Sequence, residues 1–294
     1  MADGDDRGMP APGSGSPSGS RTLVVSFLGA VVHRLGGWMP IGGAIELLTQ
    51  AGLDGQSVRT AVFRLKRRGW LTAEARSGVR GYALTEIARA ALTAGDEIIW
   101  HAPPPADLAE GWCIVSFSVP ESARAQRHQL RSQLAALGFG NVGSGMWIAP
   151  ARRRSAAERM IDELGLLPRC AIFVGEHAGG EALPDLVADS WDLEEIDDRY
   201  RRFIAEHGEV VDGAAGDTTG REAFVAYLRV VDGWRRLPYR DPGLPPAVLP
   251  PDWHAATAGE LFVRLVAGLE VDAFAHARSY WPVADGGSQD RLAE

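Results

Sequence analysis

The stretch from residue 56 to 69, QSVRTAVFRLKRRG, constrains this chain more than any other. At about 100° per residue, Val58, Val62 and Leu65 share one stripe of a helix, and Thr60, Arg64 and Arg67 fall on the opposite face. Arg59, Phe63 and Lys66 flank that polar face, Gln56 and Ser57 stand at its N-terminus, and Asp54 is placed to cap it. Such a helix must bury one side against a small body and present a cationic side to something else. What precedes and follows it narrows the choice. Leu23, Val24, Phe27, Leu28 and Val31 have the spacing of a first helix, stopped by Gly36-Gly37. A short second helix begins at Pro40 with Ile41, Ile45 and Leu48 on one side, and breaks at Ala51-Gly52. After the basic helix, Trp70 to Arg76, a Ser77-Gly78 turn and Arg80 to Leu84 predict a two-stranded hairpin carrying Arg76 and Arg80 near its tip. Thr85 caps a fourth helix running to about residue 98. Helix, helix, helix, hairpin is the order of a winged helix-turn-helix.

The charge distribution supports that assignment. The chain is acidic overall, with a net charge of −8, yet residues 21–100 hold ten Lys/Arg against six Asp/Glu, while residues 101–294 hold 19 against 29. A basic segment inside an acidic body points to an anionic partner for that segment. Residues 1–20 are almost wholly Gly, Pro, Ser, Ala and Asp, and are expected to be a disordered tail.

Beyond a Pro-rich linker at 102–106 the pattern changes. An apolar strand (Trp112 to Val119), a helix with Leu130, Leu134 and Leu137, and a Gly-rich strand pair ending at Met146-Trp147-Ile148 come first. A helix over about 155–165 and a strand from Cys170 to Val174 follow. This βαββαβ order predicts a ferredoxin-like domain over 107–178, four strands covered on one face by two helices. Residues 185–280 read as a helical C-terminal domain. Its helices are marked by Leu193, Ile196, Tyr200 and Phe203, by Phe224, Leu228 and Val231, and by Leu261, Leu265 and Leu269. Residues 281–294 are expected to form a flexible tail. The fold class is therefore α+β and multidomain.

Several chemistries are excluded or weakened by context. No stretch approaches the ~18 consecutive apolar residues of a membrane helix. The acidic start does not resemble a secretory signal, and Cys113 and Cys170 sit in apolar runs as buried thiols would in a reducing cytoplasm. Gly138-Phe139-Gly140-Asn141-Val142-Gly143 matches the dinucleotide fingerprint in letters only, since a helix precedes it and a strand follows, and a tight connection explains its glycines. Arg152-Arg153-Arg154 reads as a solvated charge run, with anion binding as the alternative. The acidic stretch from Asp189 to Asp198 reads as the opening of a helix. The seven histidines form no H-x-x-x-H pair and no Ser sits in a nucleophile elbow, so neither a metal site nor catalysis is expected.

The run from Val58 to Leu65 (VRTAVFRL), with Gly69-Trp70-Leu71 and Tyr82-x-Leu84-Thr85, resembles the PaaX family of bacterial transcriptional regulators. Gly111-Trp112, the segment from Leu130-Arg131 to Gly138-Phe139-Gly140, and Trp147-Ile148 are similar to the family's central domain. Trp191, Tyr200, Phe203 and Asp241-Pro242-x-Leu244-Pro245 look like its C-terminal domain. The resemblance covers about residues 21–280. It implies a cytoplasmic homodimeric repressor of aromatic-acid catabolic genes, with phenylacetyl-CoA or a similar acyl-CoA as effector. It also implies a Cas2-like central domain, but the first strand ends Phe117-Ser118-Val119-Pro120, without the aspartate a nuclease of that type carries there.

The expected function is thus repression by reading a palindromic double-stranded operator with two winged helices. Gln56, Ser57, Arg59, Thr60 and Arg64 are the candidates for base reading or positioning in the groove, and Arg67, Arg76 and Arg80 for phosphate contacts. Arg59 has a structural alternative, pairing with an acidic residue elsewhere. No residue is assigned to the effector. The rival readings are a winged-helix protein-interaction module without DNA affinity, and a regulator of another pathway with a different ligand.

Overall fold

The computed structural model describes residues 20–101, 104–209 and 219–282. Apart from Ser20, Trp281 and Pro282, the expected tails at 1–20 and 281–294 lie outside the described residues. The chain forms two compact units, each built from separated stretches of sequence.

The first unit comprises the described residues of Met1–His101, Ala205–Arg236 and Gly259–Glu294. It opens with α1 (Ser20–Phe27), which continues as a π-helical segment, Leu28–His33, and ends at Gly36 and Gly37, both at positive φ. Pro40 ends a short strand, β1 (Trp38–Pro40), and serves as the N-cap of α2 (Ile41–Gln50). Next come α3 (Gly55–Arg67), β2 (Leu71–Arg76), β3 (Val79–Leu84) and α4 (Glu86–Ile99). The hairpin register pairs Arg76 with Val79 across a two-residue turn in which Ser77 and Gly78 both have positive φ. That backbone matches the right-handed twist of the flanking strands, and Ser77 is the only non-glycine among the described residues to adopt it.

β1 adds a third strand to the hairpin, in the order β1-β3-β2. Its three residues are too few to carry a period, which is why the sequence does not announce it. Gly81 makes the contact: a Cβ there would collide with the Met39 carbonyl oxygen and lie 2.5 Å from the Trp38 ring.

The late helices α9 (Gly220–Trp234) and α10 (Ala255–Arg278, its first four residues grouping with the second unit) complete this unit's core. Phe27 meets Phe224 edge-on at 6.4 Å, and the Ser26 hydroxyl donates to the buried Asp232 carboxylate at 2.5 Å. Trp234 stacks on Phe262 at 4.6 Å and donates to the Ile99 carbonyl. Arg34 donates to the Tyr227 hydroxyl and pairs with Glu270, while Trp281 donates to the Trp38 carbonyl. Burial around Tyr227 pushes its phenol up to about 12.

The second unit comprises the described residues of Ala102–Ile204 and Leu237–Ala258. Its elements are β4 (Trp112–Phe117), α5 (Arg124–Ala136), β5 (Gly140–Gly143), β6 (Met146–Pro150), α6 (Arg154–Glu163), β7 (Cys170–Gly175), α7 (Leu183–Ser190) and α8 (Leu193–His207), the last three residues of α8 grouping with the first unit. The sheet order is β5-β6-β4-β7 and every pair is antiparallel. This is the βαββαβ topology that the element order predicts.

One face carries Cys113, Val115, Trp147 and Ala149 packed on Leu130 and Leu134 of α5 and on Ala157 and Ile161 of α6. The expectation of cover on one face is incomplete. Trp112 and Ile148 form a second cluster with Val187 of α7 and with Leu244 and Val248. Strand residues alternate between faces, so the unbroken apolar run from Trp112 to Val115 requires cover on both sides. Cys113 is buried as expected, its thiol pushed up to about 11, whereas Cys170 is half-buried at the sheet edge.

The glycines of residues 138–143 have a packing role. Gly138 ends α5 at positive φ, and Trp191 donates its indole N–H to the Gly138 carbonyl at 3.1 Å. A Cβ on Gly140 would lie 2.7 Å from the Trp191 ring. The arginine run at 152–154 is not simply solvated. Arg152 donates to the carbonyls of Pro104 and Gly243, Arg153 to that of Pro242, and Arg154 pairs with Glu158 one turn on. Arginine forks reach several carbonyls at once, so this run fastens the loop at 242–243 onto the domain.

Candidate nucleic-acid interface

The cationic helix begins where the sequence places its cap. The Asp54 carboxylate accepts the Ser57 backbone N–H at 2.9 Å, and hydrogen bonding from the Ser57 side chain and then this N–H holds its pKa below the usual carboxylate range. Val58, Ala61, Val62 and Leu65 are buried, so the helix has one fixed orientation, and α1 packs against it.

Everything on the opposite side faces solvent. Gln56, Arg59, Arg64 and Arg67 are exposed, and Ser57 and Thr60 are half-buried. Lys66 and Arg68, which the sequence analysis did not include among the site residues, are exposed beside them. Phe63 is also on this side, 59% exposed. An aromatic ring left in water on a charged face is a feature that core packing does not explain.

No ion pair engages Arg59, Arg64, Lys66, Arg67, Arg68 or Arg80 among the described residues. The structural alternative for Arg59, pairing with an acidic residue, is therefore not realised. Unpaired guanidinium and ammonium groups side by side repel one another, and an anion docked across them relieves that repulsion.

The hairpin divides its two arginines. Cross-strand partners share a face, so Arg80 lies with Ala75 and Tyr82, and Arg76 lies with Glu74, Val79 and Gly81 on the other. Arg80 is exposed. Arg76 donates to Glu74 at 2.6 Å and sits over the Trp38 ring at 5.3 Å. The sequence treats the two as equivalent because it shows spacing along the strands, not these partners. Arg80 is free for a phosphate, whereas Arg76 is first a brace between the hairpin and Trp38.

Among the described residues no cluster of His, Cys, Asp and Glu has the arrangement of a metal site, and no helix is long and apolar enough to cross a membrane. The acidic stretch at 189–198 is taken up locally. Asp192 caps α8 through the Glu195 N–H, Asp197 bonds His254, and Asp198 pairs with Arg201.

Three consecutive segments of the chain match models of one protein family. Residues 19–88 match the description "PaaX-like protein", residues 105–187 "PaaX protein central Cas2-like domain", and residues 191–279 "PaaX-like protein C-terminal domain". The chain belongs to the PaaX family. Its similarity to the transcriptional repressor PaaX of Escherichia coli (strain K12) is 27% identity over 256 residues, covering 85% of this chain and 80% of the relative. Among solved structures, uncharacterized protein Rv0674 from Mycobacterium tuberculosis shares the fold, with a TM-score of 0.57 and 22% identity over 87% of this chain and 97% of that one. The PaaX relative is a regulator and not an enzyme, in keeping with a chain whose sequence offers no catalytic constellation.

Proposed function

We propose that this PaaX-family chain is a DNA-binding transcriptional repressor whose residues 21–100 act as a winged helix-turn-helix. The observation that carries the reading is the solvent face of α3, a row of unpaired cations with Gln56, Ser57 and Thr60 at its N-terminal end. In winged-helix readers the third helix enters the major groove N-terminus first, which brings Gln56, Ser57, Arg59, Thr60 and Arg64 to base edges or groove walls. Arg67 and Arg80 then meet phosphates, with Arg76 positioning the wing. The regulated genes are those of aromatic-acid catabolism, following the relative's role as a repressor and the resemblance described above. The protein works in the cytoplasm as a homodimer on a palindromic operator.

The effector is an acyl-CoA of the phenylacetyl type. Release follows only if it binds better to the conformation that fits DNA poorly. A groove of about 960 Å³ within the first unit offers space of ligand size, its lining including Leu23, Arg221 and Arg229 and also the carboxylates of Glu206, Glu222 and Asp232. Leu23 belongs to α1, which packs on α3, so a ligand there would bear on the reading helix.

Fluorescence anisotropy on DNA from upstream of the protein's own gene, at several salt concentrations, tests this function. Tight salt-sensitive binding, released by phenylacetyl-CoA and not by phenylacetate, is the expected result. Binding indifferent to the ester removes the effector but keeps the repressor. Absence of binding even at low salt refutes the repressor and leaves a protein-interaction module.

A further inference from the structure

Phe63 is an α3 side chain whose place neither the core nor the charge of the helix explains. It is 59% exposed. At about 100° per residue it stands about 20° round the helix from Gln56 and about 40° from Arg59 and from Arg67, near the middle of the solvent face. The residues one turn away on either side, Arg59, Thr60, Lys66 and Arg67, are all polar, and none of them is buried. No aromatic ring or guanidinium packs on the Phe63 ring among the described residues. A ring so placed gains free energy only when something apolar takes it out of water.

With α3 in the major groove, few groups can do so. The bases of a duplex are stacked, so their flat faces are closed to the ring. Their edges present hydrogen-bond donors and acceptors, and the apolar group among them is the C5-methyl of thymine. The side chains around Phe63 have other uses for the groove. Gln56, Arg59 and Thr60 carry donors and acceptors that separate bases by their hydrogen-bonding pattern, and Arg67 is the cation best placed for a phosphate. Phe63 has no polar atom, and what it can recognise is the presence or absence of a methyl group. That distinction separates thymine from cytosine, whose edge lacks one.

We propose that Phe63 is a base-reading residue, its ring packing on the C5-methyl of a thymine in the major groove of the operator. This rests on the DNA-binding reading of α3 and adds to it the chemical group that the helix selects. The cations around the ring bring the helix to any duplex, since phosphates are the same in every sequence. The ring carries no charge, so it contributes selectivity without a phosphate contact. Removing one methyl group from water against it is worth about fourfold in affinity for each reading head.

The test uses the full chain in fluorescence anisotropy on duplex DNA from upstream of its own gene, prepared once with thymine and once with every thymine replaced by uracil. Uracil lacks the C5-methyl and keeps every hydrogen-bonding group, so the exchange removes the apolar group alone. The wild type is expected to bind the uracil duplex about fourfold more weakly for each reading head. Phe63→Ala should bind both duplexes alike, with the wild-type salt slope and an unchanged circular dichroism spectrum. Phe63→Leu, which keeps an apolar side chain, should retain part of the discrimination. Single thymine-to-uracil exchanges should trace the loss to one position in each half-site. A wild type that binds the two duplexes equally overturns the role of Phe63 and leaves the DNA-binding reading standing. A preference for thymine that persists undiminished in Phe63→Ala overturns it as well, because the methyl is then felt by another group or through the shape of the duplex. A wild type that binds neither duplex at low salt removes the DNA-binding reading itself, and this inference with it.

Discussion

The most discriminating perturbation of the reading helix is to remove its cations singly and follow the salt dependence of binding. Six cationic side chains lie on α3 and the wing without an ion pair among the described residues: Arg59, Arg64, Lys66, Arg67, Arg68 and Arg80. If all six met phosphates, log affinity would fall with log salt at a slope of about −5 per reading head. If Arg64 reads a base, the slope is nearer −4.5. Removing a single phosphate contact lowers the slope by about 1 per head, so over the fourfold rise from about 50 to 200 mM salt the variant's handicap shrinks about fourfold. Arg67 lies diametrically opposite Val58, the most deeply buried point of the helix, and is the best candidate for such a contact. Arg67→Ala should therefore lose affinity equally for the operator and for a scrambled duplex of the same length, with the shallower slope. Arg64→Ala should behave differently, costing about 1–3 kcal/mol on the operator, little on the scrambled duplex, and leaving the slope nearly unchanged. Anisotropy titrations of both variants on both duplexes at three salt concentrations measure all of this. An Arg67→Ala protein with wild-type slope on both duplexes would refute the phosphate role and, with it, the docking of α3 assumed here.

Other consequences concern stability. A fragment ending at residue 101 loses the packing of Phe27 on Phe224 and the hydrogen bond from the Trp234 indole to the Ile99 carbonyl, so it should show little cooperative unfolding by circular dichroism, whereas the full chain should melt cooperatively. Gly81→Ala forces a methyl group against the Met39 carbonyl and the Trp38 ring and should destabilise by about 3 kcal/mol in a denaturant titration. Thr85→Ala removes both the cap to Ala88 N–H and the bond to the Gly69 carbonyl, for a loss of about 1–2 kcal/mol. Burial holds His207 and His276 below the ordinary histidine pKa, helped by Arg229 and Arg221 respectively. The unfolded chain therefore takes up these protons first, and Tm should fall as pH drops below about 7 until the folded histidines also titrate. A variant with both changed to Gln should show a flatter profile, and an unchanged profile would refute the assignment.

The local elements of this fold were legible because each carries its own periodicity or cap. Asp54, Thr85 and the Gly36-Gly37 stop act within a few residues of where they stand, and the structure keeps all of them. What escaped depends on distant partners. β1 has only three residues, and it exists because Gly81 lets it approach. The cover of the second sheet face comes from Val187 and from Leu244 and Val248, the last two about 100 residues beyond Ile148 and more than 130 beyond Trp112. The difference between Arg76 and Arg80 follows from a cross-strand register that places Glu74 and Trp38 on one side only. The spatial grouping of α9 and α10 with α1 was equally hidden, since an amphipathic helix declares that it has an inner face but not which surface that face meets.

The acidity of the chain is no obstacle to binding DNA, and the distances involved explain why. Charges separated by more than about 8–10 Å are largely screened at physiological ionic strength, so a phosphate at α3 responds to the arginines it touches and hardly to the carboxylates of the remaining chain. Where that remainder presents carboxylates, contact with the duplex brings like charges together and is penalised. If α3 is the docking surface, a net charge of −8 for the chain works in favour of that orientation. It favours docking through α3 over non-specific coating, and it does so more strongly at low salt, where the same arginines would otherwise bind any sequence most tightly.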